Sequence, residues 1–190
     1  MGLIDTSVVV PRRGYILTRS VSATPTVPTA ANLDSFAANT TTPFGGYTNF
    51  GHTQRETPLE FGQEGGGSEV LGTWQNESLL EEIEATSDYL LLRSVQLRDP
   101  NVLNLYHGGG TVGTGFYDVP DTPAAQELDA LVVVLDARGP LGLWIPKASV
   151  RREDAMSWDP KAMVGIPLRF TFLKNGSQPK MRWISDAFTV

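Results

Sequence analysis

The sequence predicts a mainly β protein: a β-sandwich or barrel subunit with one short flanking α-helix and a long extended loop. Two compositional features favour this fold. The chain holds 19 glycines and 13 prolines in 190 residues, more than the ~12% that these two residues usually make up together, and both favour turns over helices. Apolar residues account for 41% of the chain. That is enough for one hydrophobic core, so residues 1–190 are interpreted as a single domain.

The first half of the chain predicts short strands. One lies at 14–19, and a triple glycine marks a turn before a later one. We also expect residues 79–85 and 89–97 to be strands that pair across a turn at 86–88. The remaining candidates in this half are 48–50, 59–61 and 68–74.

One helix is well marked by its two ends. Asp99 is a good N-cap, Pro100 suits the first helical position, and Gly108 can end the helix. The residues expected to face the core are Val102, Leu103 and Tyr106.

The last third contains the clearest strands. A β-branched apolar run at 131–135 turns through 138–140 into a second strand at 141–147. Apolar and polar residues then alternate at 168–172 with the period of two that a half-buried strand shows.

A hairpin is predicted after this strand. Asn175 and Gly176 favour a two-residue turn, because both central positions of such a turn need a positive φ. Residues 181–184 would then form the return strand.

Residues 20–49 are poor in large apolar side chains and hold three prolines. A short helix is indicated inside this stretch, where Leu33 and Phe36 follow a cap-like Thr29. A segment this long with little regular structure is unusual inside a compact domain. We therefore expect a long arm over residues 20–67 that is mobile in a free subunit and becomes ordered against a neighbouring chain.

Composition and charge exclude several classes of protein. The net charge is −6, whereas a nucleic-acid binder needs Lys and Arg to neutralise phosphates. The absence of cysteine excludes disulfides, zinc–thiolate sites, iron–sulfur clusters and cysteine nucleophiles. The sequence has no apolar run near the ~18 residues of a membrane span and no basic start of a secretion signal. We expect a protein without a membrane anchor that folds in a reducing cytoplasm.

Charge is segregated along the chain. Residues 56–88 carry nine acids and no base, whereas residues 138–190 carry a net charge of +5. A solvated acidic loop beside a basic sheet face explains this pattern. The alternative is a fold that places a negative surface where it has a function.

Two motifs suggest enzymes at first sight. His107 and the three glycines after it match a string that supplies oxyanion-hole amides in some esterases, but the G-x-S-x-G serine motif is missing from the sequence. Glu81, Glu82 and Glu84 offer paired carboxylates of the kind that glycosidases use. Neighbouring residues on a strand face opposite sides. We favour a helix-ending glycine loop and a solvated acidic strand, and we predict neither an enzyme nor a cofactor.

Several strings in the middle of the chain resemble a known family. They are FGHT at 50–53, PLEF at 58–61 and LGTWQ at 71–75, in that order and followed by the Leu79-Leu80 pair. They resemble the major tail tube proteins of long, non-contractile-tailed bacteriophages, particularly those of actinobacterial hosts. The helix that ends near Tyr106 and the strand at 166–173 are similar too, so the resemblance extends from residue 14 onward.

The resemblance implies a structural virion protein. Subunits of this family close into hexameric rings with a shared inner β-barrel, and the rings stack into a tail tube. The lumen would hold a tape-measure protein and later conduct duplex DNA during ejection without binding it specifically. The implied partners are further copies of the chain together with the tape-measure, tail terminator and distal tail proteins. The chain would assemble in the cytoplasm of the host bacterium and end in the virion tail.

Site residues follow from this interpretation. Because a DNA conduit benefits from an acidic wall, we expect Glu77, Glu82 and Glu84 to face the lumen. Contacts between subunits are expected along the arm. The candidates are Phe44, Tyr47, Phe50, His52, Leu59 and Phe61.

The alternative function is a monomeric β-sandwich module that binds carbohydrate through Trp74 and the acids near it. Trp74, Trp144 and Trp183 all fall on predicted strands, which favours packing in a core or an interface over a sugar platform. A glycosidase or esterase ranks third.

Overall fold

The computed structural model describes residues 7–56 and 59–188, with side chains at all of these positions except 69, 72, 73 and 76–83. In these ranges the chain forms twelve strands and two helices, which confirms the predicted mainly β fold. The strands are β1 (Arg13–Ser20), β2 (Thr48–Asn49), β3 (Glu60–Glu64), β4 (Ser68–Thr73), β5 (Asn76–Ile83), β6 (Ser87–Ser94), β7 (Thr111–Gly113), β8 (Phe116–Asp118), β9 (Gln126–Leu135), β10 (Pro140–Arg152), β11 (Ile166–Phe172) and β12 (Arg182–Ile184). The helices are α1 (Ala30–Ala38) and α2 (Pro100–His107).

Eight strands form one antiparallel sheet in the order β2-β1-β9-β10-β11-β6-β3, with β12 beside β10. The other four strands form two separate hairpins, β4–β5 and β7–β8. The expected pairing of 79–85 with 89–97 is therefore wrong. β5 pairs with β4, whereas β6 pairs with β11 and β3, because the sheet offers β6 a partner on each side.

The sheet is buried on both faces. Successive residues of a strand point to opposite sides, so Ile16 packs in one hydrophobic cluster and Leu17 in another. The first cluster contains Val102 and Tyr106 of α2, and the second contains Phe36 of α1. Each face of the sheet is thus covered by one of the helices, and the predicted flanking helix has a counterpart on the opposite side.

Both helices begin at the residues that the sequence predicts. The Asp99 side chain accepts a hydrogen bond from the Asn101 N–H, and Gly108 ends α2 in the left-handed conformation. Thr29 and Asn32 cap α1 reciprocally, each side chain accepting from the other residue's backbone N–H. The predicted inner face of α2 is correct for Val102 and Tyr106 but not for Leu103. Leu105 is buried there instead.

The predicted hairpin at Asn175 is wrong. β11 and β12 run in the same direction along one edge of β10, β11 beside Ala148–Arg152 and β12 beside Gly142–Trp144. Residues 173–181 leave this edge and return to it where the register of β10 shifts between Ile145 and Ala148. The turn that remains is closed by the Gln178 N–H, which donates to the Asn175 carbonyl.

The first part of the long arm packs on its own subunit. Leu33 and Phe36 of α1 are 0% and 1% exposed, and they contact Trp144 and other residues of the second cluster. The reasoning that residues 20–49 lack apolar groups able to order them is therefore wrong for this part. Two buried apolar side chains suffice for this short helix, because the sheet supplies apolar partners such as Leu131, Val133 and Trp144.

Candidate functional site: assembly surfaces

A buried carboxylate on the sheet binds the arm through hydrogen bonds. Asp129 of β9 is 0% exposed. Its Oδ1 accepts hydrogen bonds from the Tyr47 hydroxyl at 2.8 Å and from the Trp144 indole N–H at 2.9 Å. Its Oδ2 accepts from the Arg19 guanidinium at 2.7 and 2.8 Å. A buried charge is tolerated when it is paired and fully hydrogen-bonded in this way.

The same network reaches two further points of the arm. Arg19 donates to the carbonyls of Thr26 and Gly45 at 2.8 and 2.9 Å, and its guanidinium lies 4.2 Å from the Tyr47 ring centre. Burial raises the pKa of Asp129 above its usual value, and it also raises the pKa of Tyr47, with the Asp129 charge adding to the effect. Tyr47 therefore stays a hydrogen-bond donor, and residues 26–47 are held on the subunit by side chains of β1, β9 and β10.

A second ionic cluster holds the edge strand β3. Arg169 of β11 is 6% exposed, forms an ion pair with Glu64, and lies 3.8 Å from the centre of the Tyr89 ring. The hydrogen bond from Arg169 holds the pKa of Glu64 below its usual value. Gly62 makes this arrangement possible, because a Cβ at that position would lie 2.4 Å from Tyr89 Cζ.

The main sheet ends in open edges. β3 is the last strand on one side and pairs with β6 alone. On the other side, β2 pairs only with Leu17 and Thr18 of β1. In the described part of the chain, the outer edge of β1 before Ile16 has no partner strand. Open edges present N–H and C=O groups that another strand can satisfy.

Both separate hairpins carry exposed apolar side chains. Trp74, in the turn between β4 and β5, is 103% exposed relative to the reference state, and Val70 of β4 is 54% exposed. On the second hairpin, Phe116 of β8 is 55% exposed, and Val119 just after it is 53% exposed. Apolar groups gathered at projecting elements mark protein–protein contact surfaces.

The predicted contact residues fall into two groups. Tyr47 and Phe50 are buried in the cores of their own subunit, and Phe44 and Leu59 are half-buried against the same cores. His52 and Phe61 are exposed, Phe61 by 48%. Of the six, only these last two are exposed on the subunit, and a contact of any of the six with another subunit stays a prediction.

The predicted lumen acids lie on or beside the β4–β5 hairpin. Glu84 follows β5 and is exposed, and its backbone N–H donates to the Gly67 carbonyl at 2.9 Å. Glu77 and Glu82 belong to β5, but their side chains lie outside the described set. Their orientation toward a lumen stays a prediction.

The histidine-triglycine motif is a structural loop. The Gly108 carbonyl accepts from the Ala124 N–H at 2.7 Å, and the Gly109 carbonyl accepts from the Tyr117 hydroxyl at 2.6 Å. The sequence correctly indicates that these glycines end a helix and open a loop. Burial lowers the pKa of His107, and the charge of Arg152 lowers it further.

Of the three tryptophans that the sequence places on strands, only Trp144 is buried. Trp144 is 0% exposed in the core, and Trp183 of β12 is 49% exposed. Trp74 lies one residue beyond the end of β4 and is solvent-exposed, not packed as a strand residue. In the two described ranges, the structure has no helix with the length and apolar character needed to span a membrane.

Comparison with known proteins identifies relatives over nearly the whole chain. The family model described as phage tail tube protein matches residues 1–190. The major tail protein Gp23 of Mycobacterium phage L5 is 36% identical over 190 residues, covering 98% of this chain and 95% of the relative. The major tail protein Gp23 of Mycobacterium phage D29 is 35% identical over 185 residues, covering 96% of this chain and 92% of the relative.

Proposed function

The chain belongs to the phage tail tube protein family, and from this premise we propose that it polymerises as stacked hexameric rings whose lumen conducts DNA during ejection. It is a structural component of the virion tail and not an enzyme. The observation that carries the proposal is the combination of open sheet edges with exposed apolar hairpins on one subunit. Such a subunit has unsatisfied surfaces that other copies can cover.

The sheet edges support ring closure. β3 is at one end of the strand order, and β1, which the two-residue strand β2 covers only in part, is next to the other end. An edge of one copy can therefore pair with the other edge of the next copy. A contact between two different surfaces is heterologous, and it closes into a ring when the rotation between copies is right. Pairing β3 of one subunit with β1 of its neighbour would continue the sheets around a shared inner barrel. Phe61, on β3, would lie in that contact.

The segregated charge supports a conduit. Duplex DNA carries about one negative charge per 1.7 Å of its axis. A basic wall would retain DNA, whereas an acidic wall lets it slide. The base-free segment 56–88 supplies nine acids, and we propose that Glu77, Glu82 and Glu84 face the lumen. The +5 segment 138–190 is then available for contacts between copies.

The proposed partners follow from the place of the chain in a tail. A tube must begin and end, so we propose contacts with distal tail and tail terminator proteins at its two ends, and with a tape-measure protein in the lumen. Assembly would take place in the host cytoplasm. The DNA would pass without specific contacts, because the net charge of the chain is −6.

Electron microscopy and sedimentation test the proposal. The purified chain, concentrated and stained, is expected to show rings or tubes with an axial channel. Sedimentation velocity is expected to show species far larger than the 20.6 kDa monomer. A carbohydrate-binding module would instead remain a monomer at all concentrations. A preparation that stays monomeric, both alone and with preformed tail tips added as templates, would contradict the proposed function.

A further inference from the structure

The β4–β5 hairpin is separate from the main sheet and carries an exposed anchor. Its two strands pair with each other, from Ser68 opposite Ile83 to Thr73 opposite Asn76. A two-stranded hairpin without a packed face is marginally stable in water. Trp74 at its tip is fully exposed, and Val70 and Leu71 are 54% and 42% exposed. This hairpin therefore needs a surface to pack against.

A groove elsewhere on the subunit, lined by basic and not by acidic side chains, fits such a hairpin. It has a volume of about 530 Å³ and lies between α2, the loop after β8 and the end of β10. Its walls combine apolar, aromatic and basic side chains. They include Tyr106, His107, Val119, Pro123, Arg151 and Arg152.

The two surfaces are complementary in charge. The hairpin contains Glu69, Glu77, Glu81 and Glu82 and no base. The residues that line the groove include the exposed Arg152 at the end of β10 and no acid. The Arg152 guanidinium already lies 5.6 Å from the Tyr106 ring centre, which makes the groove an aromatic and cationic site of the kind that accepts an indole.

Resting on the self-assembly proposed above, we propose that the β4–β5 hairpin of one copy docks in this groove of a second copy, with the Trp74 indole between Val119 and Arg152. Glu69 and Glu81, the hairpin acids that are not proposed to face the lumen, then lie near Arg152. Each chain offers one hairpin and one groove, so every copy can donate to one neighbour and receive from another. Such a contact does not saturate, which is the property that a growing tube requires.

Engineered cysteines test this docking directly, because the chain contains none of its own. Gln75→Cys places a thiol beside Trp74 at the exposed tip, and Val119→Cys places one at the groove. The two variants are purified separately, mixed at assembling concentration and treated with a short bismaleimide, so that any mixed product joins two copies. The matched control pairs Gln75→Cys with Val9→Cys, a valine that is exposed at a different cavity.

We expect the Gln75–Val119 pair to give a crosslinked dimer and the Gln75–Val9 pair to give none. Adding Trp74→Ala to the hairpin variant should reduce the crosslink by about tenfold or more, whereas adding Trp183→Ala, which removes another exposed indole, should not. Rings or tubes that form without the Gln75–Val119 crosslink would overturn the docking and leave the tube function standing. A chain that neither crosslinks nor assembles would overturn both.

Discussion

The Tyr47 hydroxyl donates a 2.8 Å hydrogen bond to Asp129 Oδ1 across 82 residues of sequence. Through this contact the end of the arm is joined to the middle of the sheet. The same oxygen accepts from Trp144, so arm, β9 and β10 meet at one buried carboxylate. The arm up to residue 47 is thereby part of the folded subunit, and its contacts with other subunits stay a prediction.

The first prediction concerns this hydrogen bond. Tyr47→Phe should lower the free energy of unfolding by about 1.5–3 kcal/mol, the range for hydrogen bonds to a charged group, because Asp129 stays buried with one donor fewer. Urea denaturation measures the change. Tyr106→Phe is the matched control, since it removes a hydroxyl that donates to the neutral Asp154 carbonyl at 3.1 Å. A smaller loss, about 0.5–1.5 kcal/mol, is expected there. Equal losses would contradict the special role of Asp129.

The second prediction concerns the turn at Gly176. Its φ is +53°, and no atom lies within 4 Å of a Cβ built at that position, so any cost of substitution comes from the backbone alone. Gly176→Val should destabilise the subunit by roughly 1–3 kcal/mol. Gly176→Asn should stay close to wild type, because Asn tolerates the left-handed region. Thermal unfolding of the two variants checks this, and identical melting temperatures would refute the assigned turn conformation.

The third prediction concerns pH. The pKa of His107 is lowered below its usual 6.5 by burial and by Arg152. As the pH falls, the unfolded chain takes up a proton at this residue before the folded chain does, so stability decreases below about pH 6.5. His107→Gln should therefore lose less melting temperature between about pH 7.5 and about pH 5.5 than wild type does.

The control for this experiment is His52→Gln, the same substitution at an exposed residue. We expect it to keep the wild-type dependence of melting temperature on pH. If His107→Gln and His52→Gln show the same pH profile, the environment of His107 in the folded chain does not cause the loss of stability at low pH.

Local signals made part of the fold predictable from sequence. The ends of α2 depend on Asp99, Pro100 and Gly108, residues that act within one helical turn, and they were identified correctly. The alternation at 168–172 likewise identifies a strand. The expectation that this strand is half-buried is wrong, because Arg169 is only 6% exposed. Family strings around Trp74 pointed to the tail tube proteins, and the match over residues 1–190 confirms this family.

Long-range geometry made the rest unpredictable. In the sequence, Asp129 resembles any other carboxylate on a strand. Its partners Arg19 and Tyr47 are 110 and 82 residues away, and only folding brings them together. The position of β12 beside β10 depends on the register shift in β10. No local sequence motif predicts this shift. Asn175 reads as a hairpin residue, yet its side chain donates to the carbonyls of Ser22 and Pro146 and is 9% exposed. Asn175 therefore links the arm, at Ser22, to the part of β10 where the register shifts, at Pro146.

The last prediction concerns the lumen. The segment 56–88 has nine acids and no base, and we propose that Glu82 and Glu84 are among the acids that repel passing phosphates. The double variant Glu82→Lys/Glu84→Lys should still form tubes but should slow or block DNA ejection, because two basic groups per subunit would hold the phosphate backbone. Ejection is measured by the rate of DNA release from purified virions that carry the variant.

Two control variants separate this electrostatic effect from a structural one. Glu82→Gln/Glu84→Gln removes the charges without adding bases and should cause a smaller delay. Asp34→Lys/Asp118→Lys changes the net charge by the same amount at exposed residues of α1 and β8 and should leave ejection unchanged. The delay caused by the Lys pair at 82 and 84 should also shrink as the salt concentration rises, since salt weakens contacts with phosphates. Normal ejection through tubes built from the Glu82→Lys/Glu84→Lys chain would show that these acids do not line the path of the DNA.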